Sequence, residues 1–297
     1  MFLVKVNATS ANVCVGFDVL GLALNISNTF GFKKTSKFSF KGFEKQYCYP
    51  KSNLVYLSYK KVFDYLGKEL IPVEISFKGD IPVSRGLGSS SSLIVAGIIG
   101  ANEILGKPLK NDSILDLACE IEGHPDNVAP AIFGGLVASY KNDNGYKSIS
   151  YDVSNDLKFI TIIPSKKLST KEARNVLPKE LPYSDIVNNL SRIINIPLAF
   201  KEGNVKLLKE LFNDKLHEPY RGKLIDDYFN IKEALKEYDC AFAISGSGST
   251  MLVITKNEKE ILKVLEPFGY EMKVLSVGSG AKVVRGELDE WWLLCNS

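Results

Sequence analysis

Residues 82–92 read Pro82-Val83-Ser84-Arg85-Gly86-Leu87-Gly88-Ser89-Ser90-Ser91-Ser92, and the apolar run Leu93 to Leu105 follows directly. The run has helical character, so the stretch predicts a loop that turns into a helix. Its glycines let backbone approach a ligand closely and take positive φ. Its serines cap the helix start and add hydroxyl donors. The free N–H groups at a helix start, with the helix dipole behind them, attract an anion. The stretch therefore reads as a phosphate cradle. It is not a Walker A loop, because no Gly-Lys-Ser/Thr ends it.

Three further blocks accompany it. The first is Thr9-Ser10-Ala11-Asn12, followed by Gly16-Phe17-Asp18 and Gly21. The second is Glu120-Ile121-Glu122-Gly123-His124-Pro125-Asp126-Asn127-Val128-Ala129-Pro130, followed by Gly134-Gly135. The third is Ser245-Gly246-Ser247-Gly248-Ser249. In this order and spacing the chain resembles the GHMP kinase family. T-S-A-N-x-x-x-G-F-D-x-x-G and H-P-D-N-V-A-P-A-x-F-G-G are most similar to the members that act on homoserine. The likeness covers nearly the whole chain, and four ordered blocks are far more specific than one.

Composition sets the outer bounds. The 297 residues are enough for one large or two modest domains with a sizeable core. With 45% hydrophobic and 24% charged residues the chain has the make-up of a soluble globular protein. A net charge of +3 with scattered lysines argues against nucleic acid. No apolar run is long enough to span a bilayer, and no signal peptide opens the chain, so a cytoplasmic setting with no membrane partner is expected. Cys14, Cys48, Cys119, Cys240 and Cys295 form no C-x-x-C pair, which argues against a disulfide framework or a zinc site. The apolar end Trp291-Trp292-Leu293-Leu294-Cys295 is expected to pack on the core, with a second subunit as the alternative.

The pattern along the chain mixes strands and helices irregularly, which predicts an α+β class. Strands are expected at Val4–Asn7, Val19–Leu24, around Phe38 and Phe40, and at Val73 to Phe77. Helices are expected at Asn53–Leu66, from Ser90, and from Ser113 to Gly123. Beyond residue 150 the reading is a strand at Phe159–Ile163, helices Asp185–Lys201 and Asn204–Phe212, and strands Cys240–Ile244 and Met251–Ile254. A helix Glu258–Leu265 and strands Met272–Val277 and Ala281–Arg285 close it. The resemblance implies an N-terminal domain over 1–155, like the second domain of ribosomal protein S5, and a C-terminal α+β domain over 156–297.

The resemblance also implies a reaction: transfer of phosphate from ATP, with Mg²⁺, to the side-chain hydroxyl of L-homoserine on the way to threonine. It implies a homodimer as well. Mg²⁺ takes hard oxygen ligands, usually only one or two from protein. By resemblance these are Ser90 and Glu120, with Glu122 the local alternative. Asn53, opening a helix, matches the part of the family that lines the adenine pocket, and it also serves as a helix cap.

Homoserine is a zwitterion, so its ammonium asks for a carboxylate and its carboxylate for arginine forks. Asn12, Asp18, His124 and Asp126 sit in the motif blocks. Arg174 and Arg221 lie in segments that resemble those holding the substrate carboxylate. Phosphoryl transfer needs mainly positioning and charge neutralisation. Asp126 and Asn127 are accordingly read as substrate-positioning catalytic residues with Glu120, and Asp126 is the candidate base.

Three departures stand out from the family pattern. Asn7 replaces proline, Ser91 and Ser92 replace small alanines, and Ser249 replaces proline; the later serines are expected to add hydroxyls near the nucleotide. Two other functions compete. Family kinases of mevalonate, shikimate or sugars act on substrates without an α-ammonium, which would leave Asp18 without a partner. A catalytically inactive relative should have lost the metal carboxylate or the loop glycines, yet Glu120, Gly86 and Gly88 all remain.

Overall fold

The first strand of the chain, β1 (Phe2–Ala11), pairs antiparallel with β2 (Leu20–Lys34), from Phe2 opposite Phe32 to Ala11 opposite Gly21. This computed structural model describes residues 1–285. The register slips between Asn7 and Ala8, where β2 carries two extra residues. At about 3.3 Å per residue β2 spans roughly 50 Å, and that length lets one strand serve two cores. Phe30 and Phe32 pack under the helices of the first half, while Leu20, Leu22 and Leu24 pack against the second half.

Around this pair a seven-stranded sheet forms in the order β11-β1-β2-β4-β3, with β5 joined to β2 and β6 to β5. Its other strands are β3 (Ser39–Lys41), β4 (Val73–Gly79), β5 (Leu136–Asn142), β6 (Gly145–Tyr151) and β11 (Lys282–Val284). Helices α1 (Leu54–Leu66), α2 (Ser89–Ile104), α3 (Asn111–Glu122) and α4 (Pro125–Phe133) cover it. Between them lies a core of Phe30, Phe32, Tyr59, Phe63, Ile94 and Ile98, all buried. β7 (Lys158–Ile163), β8 (Ala241–Ile244), β9 (Met251–Thr255) and β10 (Glu271–Leu275) form a second, antiparallel sheet in the order β10-β7-β9-β8. With it go α5 (Thr170–Asn175), α6 (Tyr183–Ile193), α7 (Ile196–Glu202), α8 (Val205–Leu211), α9 (Glu218–Arg221), α10 (Tyr228–Ala234) and α11 (Glu258–Leu265).

Besides the greater length of β2 and the unexpected α10, four differences from the sequence reading stand out. Segment 156–297 is not wholly in the second unit, because β11 returns to pair Lys282–Val284 with Leu3–Lys5 of β1. The helix expected over Asp185–Lys201 is two helices: Pro197 can supply no N–H to a continuing helix and sits instead in the first turn of α7. The Gly/Pro segment after His124 is itself a helix, α4, with Pro125 tolerated in its first turn. Finally, the β5–β6 hairpin was not read at all. The apolar end Trp291–Cys295 lies outside the described residues.

Inside α4, Pro130 has no N–H for the carbonyl of Asp126, four residues earlier. That carbonyl instead lies against β2, where a Cβ on Gly21 would come within 1.8 Å of it. Glycine at 21 is therefore what seats the Asp126 turn against the sheet.

Candidate active site

The turn after β1, the loop before α2, the start of α4, α5, α9 and the Gly246–Ser247 turn enclose one cavity of about 540 Å³. Its floor at one end is the 82–92 stretch. Val83, Ser84, Arg85, Gly86, Gly88, Ser89 and Ser90 line it. Gly88 is the N-cap of α2, with φ +67 and no side-chain capping bond, so the first-turn N–H groups of a 16-residue helix are left for an anion. A Cβ on Gly88 would stand 2.0 Å from Thr9 Oγ1. This glycine is demanded by its φ and by β1, as well as by any ligand.

Four residues of the expected cradle do not line the cavity. Leu87 is buried, and its carbonyl accepts the Thr9 N–H at 3.2 Å. Pro82 faces a different groove. Ser92 is buried, donating to Ser89 O and accepting from Asn28 Nδ2 at 2.8 Å. Ser91 is buried and donates to Glu122 at 2.7 Å. The hydroxyls of Ser91 and Ser92 thus tie α2 to its neighbours rather than facing a nucleotide. Ser249 is buried too and donates to Lys166 O.

The carboxylate beside the cradle is Glu122, and this corrects the preference for Glu120. Glu122 closes α3, and its two oxygens accept Ser90 Oγ at 3.2 Å and Ser91 Oγ at 2.7 Å. Glu120 points away from the cavity into solvent and pairs with Lys61 at 2.9 Å. Two residues along a helix turn the side chain by about 200°, at 3.6 residues per turn, so the neighbouring acids cannot share a face. Glu122 with Ser90 presents a carboxylate and a hydroxyl, the hard oxygen donors that suit Mg²⁺.

The opposite end of the cavity is built from side chains. Arg174, in the last turn of α5, makes two bonds to Asp18, at 2.9 and 2.8 Å. That pairing holds the Arg174 guanidinium above its ordinary pKa. Asp18 has φ +59, and its N–H donates to Asn12 Oδ1. Asn12 in turn donates to Gly246 O at 2.9 Å. Arg221 is only 2% exposed and donates to the carbonyls of Ala173 and Gly246 at 3.1 and 3.0 Å. No carboxylate among the described residues pairs with it. Burial and the nearby Arg174 charge push its pKa down to about 10. A buried cation of this kind awaits an anion.

Asp126 is 2% exposed and hydrogen-bonded to His124 Nδ1. Burial works against the charged form of His124, but the bond to Asp126 and the charges of Asp126, Glu122 and Asp18 outweigh it and raise its pKa. Asp18, His124 and Asp126 each bring an atom to within 4.8 Å of the others. Asn127 accepts from Thr9 Oγ1 at 2.8 Å and lines the cavity.

Asn53 takes the capping role expected of it. It caps α1, accepting the Tyr56 N–H at 3.0 Å and donating to Tyr47 O at 2.8 Å, and it lines the cavity. The apolar wall beside it, Phe43, Tyr47, Leu54, Phe77 and Leu93, was missed by sequence reasoning. Its members come from scattered elements and follow no common spacing. Lys167, Ser169 and Thr170, which open α5, also line the cavity unannounced; only the Ser169 capping box signalled that an element starts there.

Cradle, acid and paired arginines in one cavity agree with what the comparisons find. Residues 53–135 match the family model described as GHMP kinases N terminal domain, and residues 198–273 match GHMP kinases C terminal. The chain belongs to the GHMP kinase family. It is 42% identical to the homoserine kinase of Clostridium beijerinckii, over 96% of this chain and 99% of that one. A crystal structure of homoserine kinase from Cytophaga hutchinsonii superposes with a TM-score of 0.84 at 28% identity, covering 95% of this chain and 97% of that chain. A putative homoserine kinase structure from Listeria monocytogenes superposes with 0.79 at 28%, covering 96% and 100%.

Proposed function

We propose that the protein transfers the γ-phosphoryl group of ATP to the side-chain hydroxyl of L-homoserine, giving O-phospho-L-homoserine for threonine synthesis. The observation that carries this reading is the unpaired, buried Arg221 beside the Arg174–Asp18 pair, in the same cavity as the α2 cradle. A zwitterion answers this arrangement: its carboxylate meets the arginines and its ammonium meets Asp18. An uncharged sugar would leave Arg221 without an anion.

ATP lies with its triphosphate on the first turn of α2 and its base against Asn53 and the apolar wall. Ser90 and Glu122 hold Mg²⁺, which neutralises charge on the phosphates when bound. Asn12, Asp18, Arg174 and Arg221 fix the amino acid, and Asn127 holds its hydroxyl in line. Asp126, held by His124, orients that hydroxyl and receives its proton as the new P–O bond forms. Positioning dominates because a loose transition state asks little of a base.

The proposal includes a reducing, cytoplasmic setting. The described cysteines are free, and Cys14, Cys119 and Cys240 are buried. No helix among the described residues is long and apolar enough to cross a membrane. It also includes a homodimer, for which the exposed stripe Val187, Leu190 and Ile194 offers a surface; light scattering reads the mass. The deciding experiment measures ADP release with L-homoserine, mevalonate, shikimate and galactose, with and without Mg²⁺. Release with homoserine and Mg²⁺ is expected. Release with mevalonate or shikimate and none with homoserine would overturn the assignment.

A further inference from the structure

His217 is fully buried, and it is not one of the residues that line the cavity. Its ring stacks on Phe17, with centroids 5.4 Å apart and planes at 30°. The same Phe17 ring receives the guanidinium of Arg221 at 5.1 Å and that of Arg174 at 5.6 Å. His217 and Arg221 are four residues apart across the single turn of α9, and the Arg221 N–H donates to the His217 carbonyl at 2.9 Å. That spacing sets both side chains on one side of the turn. One aromatic ring, carried by the 12–18 loop, is thus shared by three groups from the second half of the chain.

That loop does not hold its shape by local preference. Asn12, Val13 and Cys14 have φ of +69, +41 and +60, and Asp18 has +59. Left-handed backbone is costly for non-glycine residues, and most of all for a β-branched one such as Val13. Outside ties therefore decide the loop's form. His217 Nε2 donates to the Cys14 carbonyl at 2.8 Å, and Asn189 Nδ2 donates to the Val15 carbonyl at 3.2 Å. Because a carbonyl cannot donate, Nε2 carries the ring hydrogen. Nδ1 is then a buried acceptor with no partner among the described residues. A buried orphan atom is a standing cost, and a phenylalanine here would stack on Phe17 without it. The imidazole is explained by the Cys14 carbonyl. Asp214 fixes the backbone that carries the ring, accepting the N–H groups of His217 and Glu218 at 2.7 Å each, and its Oδ2 lies 3.8 Å from Nε2.

We propose that His217 is a positioning residue for the amino-acid end of the site. By holding Cys14 and backing Phe17, it fixes where Asp18 and the two guanidiniums stand, and it sets affinity for the amino acid without touching it. The inference rests on the homoserine reading above.

The test compares steady-state constants of the parent with His217→Phe, His217→Gln, Phe17→Leu and the Phe17→Leu/His217→Phe pair, with thermal unfolding as the folding control. Phe keeps a ring against Phe17 but loses the donor to Cys14. Gln can present its amide N–H near the position of Nε2. His217→Phe and Phe17→Leu are each expected to raise KM for homoserine about tenfold, with KM for ATP and kcat within about threefold. His217→Gln should stay within about threefold of the parent throughout, and the pair should be no worse than its worse single variant. Equal changes in both KM values, a fall in kcat alone, or multiplying effects in the pair would overturn the proposal. If His217→Phe does not fold, an unchanged homoserine KM in Phe17→Leu overturns it equally. A parent with no homoserine-dependent ADP release points instead to failure of the substrate reading, before any variant is compared.

Discussion

The two ends of the cavity are made differently. The end proposed for the phosphates is largely backbone: one loop and the first turn of α2, between Val83 and Ser90 with Leu87 turned into the core. The amino-acid end is side chains drawn from distant places. Asp18 meets Arg174 across 156 residues, and Asn12 meets Gly246 across 234. A backbone site is specified by local conformation and tolerates exchange of its side chains. A side-chain site depends on each residue and on the packing of both sheets.

The largest effect expected separates the acid beside the cradle from its neighbour. Glu122→Gln should lower kcat on the order of 10²-fold, because metal charge neutralisation is a large electrostatic contribution. Glu120→Gln loses only a surface pair with Lys61 and should stay within about twofold. The reverse result, read by steady-state kinetics, would return the metal role to Glu120.

Next come the arginines. Arg221→Lys and Arg174→Lys keep charge but lose a planar fork, so each should raise KM for homoserine about tenfold to hundredfold and barely move KM for ATP. The larger loss belongs to Arg221, which is buried and fixed by two carbonyls. On 3-amino-1-propanol, which lacks the carboxylate, the variants should lose little beyond the parent. Equal losses on both substrates would mean the arginines serve the nucleotide end instead.

The backbone end can be probed at Gly88. Gly88→Ala should lower stability by about 2 kcal/mol, a shift in Tm of about 4 °C, through its left-handed φ and the Thr9 clash. Adding Thr9→Ala should recover part of that loss. An unchanged Tm with abolished ATP binding by calorimetry would mean that ligand approach alone demands the glycine.

The smallest effect concerns pH. Burial lowers the pKa of His124, but its bond to Asp126 raises it more, above the ordinary 6.5. The contribution of this pair to stability is therefore fully present below 6.5 and is lost as pH rises through the raised value. Tm of the parent should fall by about 2 °C over that rise, and Asp126→Asn should flatten the profile. A profile of Asp126→Asn as steep as the parent's would place the titration elsewhere.

Against this contrast, what was legible in the sequence follows a rule. The cradle was readable because glycines, serines and the apolar run are neighbours in the chain. So was the cap at Asn53, an Asn placed one residue before an apolar-periodic helix. Glu122 was named only as the alternative, since nothing in Glu120-Ile121-Glu122 says which way each acid turns. That depends on where α3 packs against α2. His217 gave no signal, because its role needs Phe17 two hundred positions earlier. α4 was hidden because two prolines, Pro125 and Pro130, lie within nine residues and weaken any helical pattern. One sits harmlessly in the first turn, and the other leaves a carbonyl that finds its place against Gly21.

The sequence by itself determined the α+β class, the Gly/Ser loop that opens α2 and the residue types of the candidate site, because these depend on composition, local propensity and spacing within one element. Only the tertiary structure decided the rest. It sent Glu122 rather than Glu120 to Ser90, returned β11 to the first sheet, and buried Arg221 with no carboxylate partner among the described residues. It also held the 12–18 loop in left-handed backbone. The reason is common to all four: each outcome is set by contacts between segments far apart in the chain, whose geometry follows from how the two sheets pack, and no local preference encodes that.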